Sequence, residues 1–313
     1  MTTPEGTPAG FRAGTIGLVG RPNAGKSTLL NRLVGAKISA VSHRPQTTRN
    51  RVAGVYTTEE LQAVLWDTPG LHEAWTPLNA HMVREAEHVV ADVDAVCWIV
   101  DAEPLARAAK NGSAVFDAAL LSVLERVKHR PLVVALNKVD LVEKGWLLPV
   151  LAAFQEAEVK APIVPVSATS GDGLDTLVAE WKKLLPEQPA IYPAEHVTDA
   201  LERQICAELI RERIFQHCGQ EVPYATAVEI EQFDESARET ENIVRIHARI
   251  LVEKPSQKAI LIGKAGSMVK KIGSEARTQL AELLDCRVRL DLFVVVEKDW
   301  TSNPRALRGL GYA

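Results

Sequence analysis

The chain has 313 residues, of which 46% are hydrophobic and 24% are charged, and its formal net charge is -4. This length corresponds to about two domains of ordinary size, and the composition supports well-packed cores. The charge balance excludes a uniformly basic surface, so a polyanionic partner would have to bind a local basic patch.

Short apolar runs alternate with helix-period segments through the first 185 residues. The predicted strands are 15–19, 51–56, 61–66, 95–100, 132–136 and 163–166. The predicted helices are 27–33, 78–90, 115–127, 147–155 and 174–185. Such alternation is typical of an α/β domain with a mostly parallel sheet flanked by helices. The strands 51–56 and 61–66 are separated by a polar turn, which predicts a hairpin and one antiparallel edge.

A proline-rich stretch, residues 186–193, follows this domain and cannot continue a helix or enter a central strand. Beyond it we expect a helix at 199–216, strands at 224–233, 243–252 and 288–297, and helical stretches around Gly263 to Gly266. The second domain is therefore predicted to be a smaller α+β domain. The predicted division is a flexible N-terminus (1–13), a first domain (14–185), a linker (186–197), a second domain (198–300) and a tail (301–313).

The four cysteines show no C-x-x-C pairing and are predicted to be buried, reduced thiols: Cys97, Cys206, Cys218 and Cys286. The sequence contains neither a secretory signal nor an apolar run of about 18 residues. We therefore expect a cytoplasmic protein. Peripheral contact with the inner face of the cell membrane needs no spanning helix and stays an alternative.

A phosphate-binding loop follows the first predicted strand and precedes the first predicted helix. Its spacing is G-x-x-x-x-G-K-S. Backbone N–H groups and the helix N-terminus would contact phosphates, Lys26 would reach the β- and γ-phosphates, and the Ser27 hydroxyl would bind Mg²⁺. The predicted contact residues are Gly20, Arg21, Pro22, Asn23, Ala24, Gly25, Lys26, Ser27 and Thr28.

A second motif, Asp67-Thr68-Pro69-Gly70, ends the strand 61–66. The carboxyl ends of strands form the ligand-binding edge of an open α/β sheet, so Asp67 is expected beside the phosphate loop. There it can hold Mg²⁺, and the Gly70 N–H can contact the γ-phosphate.

Two further strand ends predict a guanine site. Asn137-Lys138-Val139-Asp140 closes the strand 132–136, and the Asp140 carboxylate can accept N1–H and N2–H₂ of guanine, a donor pair that adenine lacks. Asn137 would steady the loop, and the stem of Lys138 would cover the ring. Ser167-Ala168 would offer backbone N–H groups to guanine O6. In this order, the motifs predict binding of GTP and GDP.

These motifs belong to translation-factor-like small GTPases, and the segment 38–51, I-S-A-V-S-H-R-P-Q-T-T-R-N-R, resembles the switch segment of the Era family of bacterial GTPases. The resemblance implies a P-loop NTPase G domain followed by a type-II KH domain. It also implies that a switch threonine completes the Mg²⁺ shell with Ser27 and Asp67; Thr48 is favoured and Thr47 stays open. The expected catalytic set is Lys26, Ser27, Thr48, Asp67, Gly70 and Asn23.

Two residues bear on the rate of hydrolysis. Leu71 follows the D-T-P-G motif, and an aliphatic side chain cannot orient the attacking water, so intrinsic hydrolysis is expected to be slow. Asn23 resembles the asparagine with which related GTPases hold K⁺. The resemblance therefore implies stimulation by K⁺.

The second domain contains a G-x-x-G loop of the kind that clamps single-stranded nucleotides in KH domains. Basic residues outnumber acidic ones between Lys254 and Arg289, which predicts a local basic strip. The apolar residues Ile260, Met268, Val269 and Ile272 are interpreted as core. The predicted RNA contacts are Gly263, Lys264, Ala265, Gly266, Ser267, Lys270 and Lys271.

The resemblance implies binding to the 3′ end of 16S ribosomal RNA and a role in assembly and maturation of the small (30S) subunit. The residues alone support an RNA-binding GTPase, expected to be a monomer without a DNA partner. One competing hypothesis is a GTP-dependent recruitment factor whose second domain binds a protein or an anionic membrane through the basic strip. An ATPase is a further alternative, which the chemistry of Asp140 disfavours.

Overall fold

The computed structural model describes residues 10–71, 76–219 and 221–312. Within them the chain forms two compact units. The first contains residues 10–36, 48–71 and 82–199, and the second contains residues 37–47, 76–81 and 200–312. The segment 37–47 and residues 76–81 thus group with the C-terminal part of the chain.

The first unit is built on a six-stranded sheet with the strand order β2-β3-β1-β4-β5-β6. Its strands are β1 (Arg12–Gly20), β2 (Val52–Thr57), β3 (Leu61–Asp67), β4 (Ala95–Asp101), β5 (Leu132–Asn137) and β6 (Ile163–Pro165). All neighbouring pairs are parallel except β2 and β3, which form an antiparallel hairpin. The predicted α/β class and the antiparallel edge are both confirmed.

The helices between these strands are α1 (Lys26–Val34), α2 (Pro77–Asp92), α3 (Ala102–Lys110), α4 (Ala118–Val127), α5 (Leu147–Glu156) and α6 (Leu174–Leu184). Helix α3 was not predicted. Its Pro104 lies in the first turn, where a proline is compatible with a helix. The helix predicted from residue 115 begins only at Ala118. Asp117 caps it, accepting a hydrogen bond from the Leu120 N–H at 2.7 Å.

Three aromatic rings pack against one another in the core of the first unit. Trp98 is fully buried, and its ring lies edge-on to Phe116 and Phe154 at centroid distances of 6.4 and 6.0 Å. Such pairs add about 0.5–1.5 kcal/mol beyond the burial of area. Trp98 is therefore part of the core. The prediction for the four cysteines is confirmed, since they are buried free thiols.

The predicted linker is packed along the first unit. The side chain of Gln62, on β3, is fully buried and bonds the backbone of Ile191 and Tyr192. Further along, the Val55 N–H of edge strand β2 donates to the carbonyl of Val197 at 2.8 Å. The proline-rich stretch is thus held by side-chain and main-chain hydrogen bonds.

The second unit carries a three-stranded sheet of order β7-β8-β9, in which β8 is antiparallel to β7 and parallel to β9. Its elements are α7 (Glu202–His217), β7 (Ala227–Asp234), α8 (Arg238–Glu241), β8 (Ile243–Val252), α9 (Pro255–Ile262), α10 (Ser267–Leu284), β9 (Arg287–Val296) and α11 (Pro304–Gly309). Their order matches the predicted α+β domain. Strand β7 starts three residues later than predicted, because residues 221–225 form hydrogen-bonded turns.

The tail folds back onto the second unit. Trp300 and Tyr312 are buried, and the Trp300 indole N–H donates to the Ala225 carbonyl at 2.9 Å. No helix in the described ranges combines the length and the apolar character that crossing a bilayer requires.

Candidate nucleotide-binding site

The phosphate loop lies between β1 and α1, as the motif requires. Gly25 has a φ of 99°, and a Cβ there would come within 2.2 Å of the Asn137 side-chain nitrogen. Only glycine fits this position. No side chain caps α1, so its first amide groups are available to a phosphate.

Lys26 is buried in this loop. Its ammonium group donates to the carbonyl oxygens of Arg21 at 2.9 Å and Gly20 at 3.3 Å. Burial lowers its pKa to about 8, an effect that the Asp67 carboxylate opposes. A phosphate group in the loop would favour the charged form of Lys26, because it brings negative charge to a desolvated ammonium.

Three oxygen-bearing side chains meet at the start of α1. The Ser27 hydroxyl lies 2.5 Å from Asp67 Oδ2 and 2.9 Å from the Thr48 hydroxyl, and the Thr48 hydroxyl lies 3.4 Å from the same Asp67 oxygen. Hydroxyl and carboxylate oxygens are the donor atoms that Mg²⁺ prefers, so this set fits the metal.

The neighbouring Thr47 has different partners. Its hydroxyl donates to the Arg44 carbonyl at 2.9 Å and lies 2.6 Å from the Ser42 hydroxyl. The geometry therefore groups Thr48, and not Thr47, with Ser27 and Asp67.

The D-T-P-G turn is tied to β1 and the phosphate loop. The Thr68 hydroxyl donates to the Leu18 carbonyl at 2.7 Å, and the Leu71 N–H donates to the Gly20 carbonyl at 3.0 Å. The turn from Asp67 through Pro69 and Gly70 to Leu71 is buried. Its backbone is thus fixed against the loop that would hold the phosphates.

Asn137, at the end of β5, connects the phosphate loop with the Ser167-Ala168 loop. Its side-chain nitrogen donates to the Ala24 carbonyl at 2.8 Å, and its side-chain oxygen accepts the Ala168 N–H at 3.0 Å. Ser167 is buried, whereas Asp140 is exposed in the single helical turn Val139–Leu141. This arrangement leaves the Asp140 carboxylate accessible to a base.

Several contacts that hold these loops were not apparent in the sequence. Arg21 pairs with Asp117 at 2.8 Å, and the Arg32 guanidinium donates to the Ser170 carbonyl at 2.9 Å. Lys138 pairs with Asp101 at 2.5 Å. An aspartate between a strand and a helix is a recognisable helix-cap signal. Its ion-pair partner on another loop cannot be predicted from the neighbouring sequence.

The G-x-x-G loop joins α9 to α10 in the second unit. Gly263 has φ 71° and ψ 176°, and a Cβ there would come within 2.9 Å of the Met268 nitrogen. The loop residues Lys264 and Ala265 are exposed, as are Ser267, Lys270 and Lys271 at the start of α10; Gly266 is half-buried. The predicted contact residues therefore surround one exposed helix N-terminus, which favours anions.

The interpretation of the apolar stripe beside this loop was wrong for one residue. Ile260 is 47% exposed, whereas Ile272 is fully buried. The next residue, Leu261, lies about 100° further around α9 and is buried instead. Ile260 therefore presents an apolar surface next to the G-x-x-G loop.

The segment 37–47 is bonded to α7 within the second unit. The buried Glu212 carboxylate accepts from the Lys37 ammonium at 2.7 Å and from the Val41 N–H at 2.9 Å. The buried Arg211 guanidinium donates to the Thr47 carbonyl. Two adjacent residues of α7 thus hold both ends of this segment.

Two family models match the chain: one described as a 50S ribosome-binding GTPase matches residues 15–138, and one described as a KH domain matches residues 221–301. GTPase Era of Geobacter metallireducens is 46% identical over 302 residues, covering 96% of this chain and 98% of the relative. The chain belongs to the Era family. GTPase Era of Pseudomonas putida is 43% identical over 305 residues, covering 96% of both.

Solved structures of Era proteins extend this match to the fold. Aquifex aeolicus Era Y63A bound to GDP·AlF₄⁻ superposes with a TM-score of 0.88 at 33% identity, covering 97% of this chain and 100% of that one. Era in complex with MgGDPNP and nucleotides 1506–1542 of 16S ribosomal RNA also has a TM-score of 0.88 at 33% identity, covering 97% and 99%. This Era-family chain is a GTPase with a G domain followed by a KH domain.

Proposed function

We propose that this GTPase binds GTP with Mg²⁺ and couples its nucleotide state to the binding of single-stranded RNA, namely the 3′ end of 16S ribosomal RNA, during small-subunit assembly. The full-length similarity to an Era protein solved with MgGDPNP and 16S nucleotides 1506–1542 carries this proposal. One matching family model is described as a 50S ribosome-binding GTPase. Its match covers only part of the first unit, whereas the similarity to the Era complex covers both units, so we base the proposed RNA partner on the Era complex.

In the G domain, Ser27, Thr48 and Asp67 would hold Mg²⁺, which would neutralise charge on the β- and γ-phosphates. Lys26 would donate to the same phosphates, and the N-terminus of α1 would add amide donors. The exposed Asp140 carboxylate would accept the guanine N1–H and N2–H₂ groups. Asn137 would keep the phosphate loop and the Ser167-Ala168 loop at a fixed separation.

We further propose slow hydrolysis that K⁺ accelerates. Leu71 has no group that could orient a water molecule, and Asn23 lies in the phosphate loop with a φ of 63°, so its backbone is held in the left-handed region. The measurement is phosphate release in KCl against NaCl for the wild type and Asn23→Asp. Equal rates in both salts, unchanged by the substitution, would show that K⁺ has no role.

In the KH domain, the loop Gly263 to Gly266 and the lysines after it would clamp the RNA backbone. The exposed side chain of Ile260 adds an apolar surface against which a base could pack. The test is binding of a synthetic RNA of 16S nucleotides 1506–1542 to protein loaded with a non-hydrolysable GTP analogue. The double variant Gly263→Asp/Gly266→Asp should bind this RNA at least about tenfold more weakly, since two carboxylates would face the phosphates.

Gly263→Asp could disturb the loop, so the exposed pair Lys264→Ala/Lys271→Ala provides a second variant, expected to weaken binding and to flatten its salt dependence. Gly309→Asp adds a charge to the same unit where a side chain meets open space, and it should bind like the wild type. GTP hydrolysis without RNA should be unchanged in all of them. Wild-type RNA binding by both the double glycine variant and the double lysine variant would contradict the proposal. Sedimentation of the wild type with anionic vesicles in place of RNA would favour the recruitment hypothesis.

A further inference from the structure

Asp101 lies at the carboxyl end of β4, directly opposite Asn137 in the register between β4 and β5. Its carboxylate has two partners. One oxygen accepts the Glu103 N–H at 3.0 Å and so caps α3, and the other accepts the Lys138 ammonium at 2.5 Å. One side chain thus connects a helix start to the N-K-V-D turn.

Lys138 combines an unusual backbone conformation with a long, flexible side chain. It has φ 65° and ψ 33°, a left-handed conformation that is unfavourable for a residue with a side chain. Its carbonyl accepts the Leu141 N–H at 3.0 Å and closes the turn that presents Asp140. Its long side chain would otherwise sample many rotamers, and only some of them lay the stem across a base.

The pair differs from the ordinary surface ion pairs nearby. The side chains of Lys138 and Asp101 are 29% and 22% exposed, whereas those of Arg107 and Glu103, which pair along α3, are 69% and 41% exposed. Exposed pairs contribute little because solvent screens them. A half-buried pair that joins two strand ends restricts the lysine more strongly.

We propose that Asp101 is a positioning residue for guanine-nucleotide binding, whose carboxylate holds the Lys138 stem where it covers the guanine ring. This role rests on the proposed contact of Lys138 with the base. Asp101 does not touch the nucleotide, and its effect passes through Lys138. Because the base is common to GTP and GDP, the affinity for both nucleotides depends on it equally.

The test is a double-mutant cycle on the full chain with fluorescent GDP and GTP analogues. Asp101→Asn keeps a good helix cap while it removes the charge that binds Lys138. We expect about three- to tenfold weaker binding of both nucleotides, an unchanged rate of hydrolysis at saturating GTP, and an unchanged preference for guanine over hypoxanthine nucleotides, since Asp140 is intact. In a Lys138→Met background, Asp101→Asn should have no further effect.

Glu103→Gln is the matched control, because it removes a neighbouring carboxylate that pairs with Arg107 within α3, and it should bind GDP like the wild type. Thermal unfolding checks that each variant is folded. The inference is overturned if Asp101→Asn binds GDP like the wild type, or if it weakens binding by the same factor in the Lys138→Met background. Normal GDP binding by Lys138→Ala, which lacks the stem, would instead remove the proposed contact of Lys138 with the base, on which the inference rests.

Discussion

Thr47 and Thr48 are neighbours in the chain, but their hydroxyl groups have different partners. The Thr48 hydroxyl is 2.9 Å from Ser27, and the Thr47 hydroxyl bonds the Arg44 carbonyl at 2.9 Å. Both residues lie in a segment without helix or strand, where neighbouring side chains can point in different directions. One residue can therefore complete a ligand set while the next stabilises its own loop.

We predict that Thr48→Ala raises the Mg²⁺ concentration needed for half-maximal GTP hydrolysis by about tenfold or more, since it removes an oxygen from the metal set. The affinity for GDP should change little. Phosphate release over a Mg²⁺ titration measures both effects. Thr47→Ala is the matched control and should keep the Mg²⁺ dependence while it loses about 1 kcal/mol of stability. A larger Mg²⁺ defect in Thr47→Ala would move the assignment to that residue.

At this scale the sequence predicts contiguous motifs well, because adjacent residues in a strand-to-loop turn meet the same ligand. It does not predict tethers such as Asp101 to Lys138 or Arg32 to Ser170, whose partners are 37 and 138 positions apart. Those contacts depend on strand register and loop length. The exposure of Ile260 was missed for a related reason, because a short helix leaves open which side faces the core.

At the scale of elements, the predicted linker is bonded to β3 of the first unit. The Gln62 side chain donates to the Tyr192 carbonyl at 2.9 Å and accepts the N–H groups of Ile191 and Tyr192 at 2.7 and 2.8 Å. The prolines predict the absence of helix, but they do not predict that Ile191 and Tyr192 are held by one polar residue of a buried strand. A buried glutamine in an apolar run was the available signal, since such a side chain must find partners.

We predict that Gln62→Leu destabilises the first unit by about 2–4 kcal/mol, because it removes three hydrogen bonds between buried β3 and the backbone of the linker. Urea unfolding measures this loss, and limited proteolysis should show faster cleavage between residues 189 and 199. Gln188→Leu removes one bond, to the Ala13 carbonyl at 2.9 Å, and should cost about 1 kcal/mol. If the two variants lose the same stability, the linker is not anchored through Gln62.

At the scale of the whole molecule, the segment 37–47 follows α1 in the chain yet belongs to the second unit. Glu212 and Arg211 hold it, and Thr48, the next residue, lies with the candidate metal ligands. We infer that a change from GTP to GDP alters RNA binding by the KH domain through the segment 37–47. Alternation of strands and helices predicts domains as consecutive pieces of chain and could not reveal this grouping.

We predict that Glu212→Gln reduces the difference in RNA affinity between protein bound to a GTP analogue and protein bound to GDP, because the amide no longer attracts Lys37. RNA binding in each nucleotide state measures the ratio, which should fall toward one. Glu202→Gln, on the same helix, weakens an exposed pair with Arg238 and should keep the wild-type ratio. An unchanged ratio in Glu212→Gln would mean that the nucleotide signal takes another route.

Strand β2 forms the edge of the first sheet, and the linker covers part of that edge. The Val55 N–H donates to the Val197 carbonyl at 2.8 Å, and the Thr198 hydroxyl donates to the Ala53 carbonyl at 2.5 Å. An uncovered edge is a template for pairing with other chains and hence for aggregation. A first domain shortened to Leu185 would lose this protection, whereas one that ends at Asp199 would retain it.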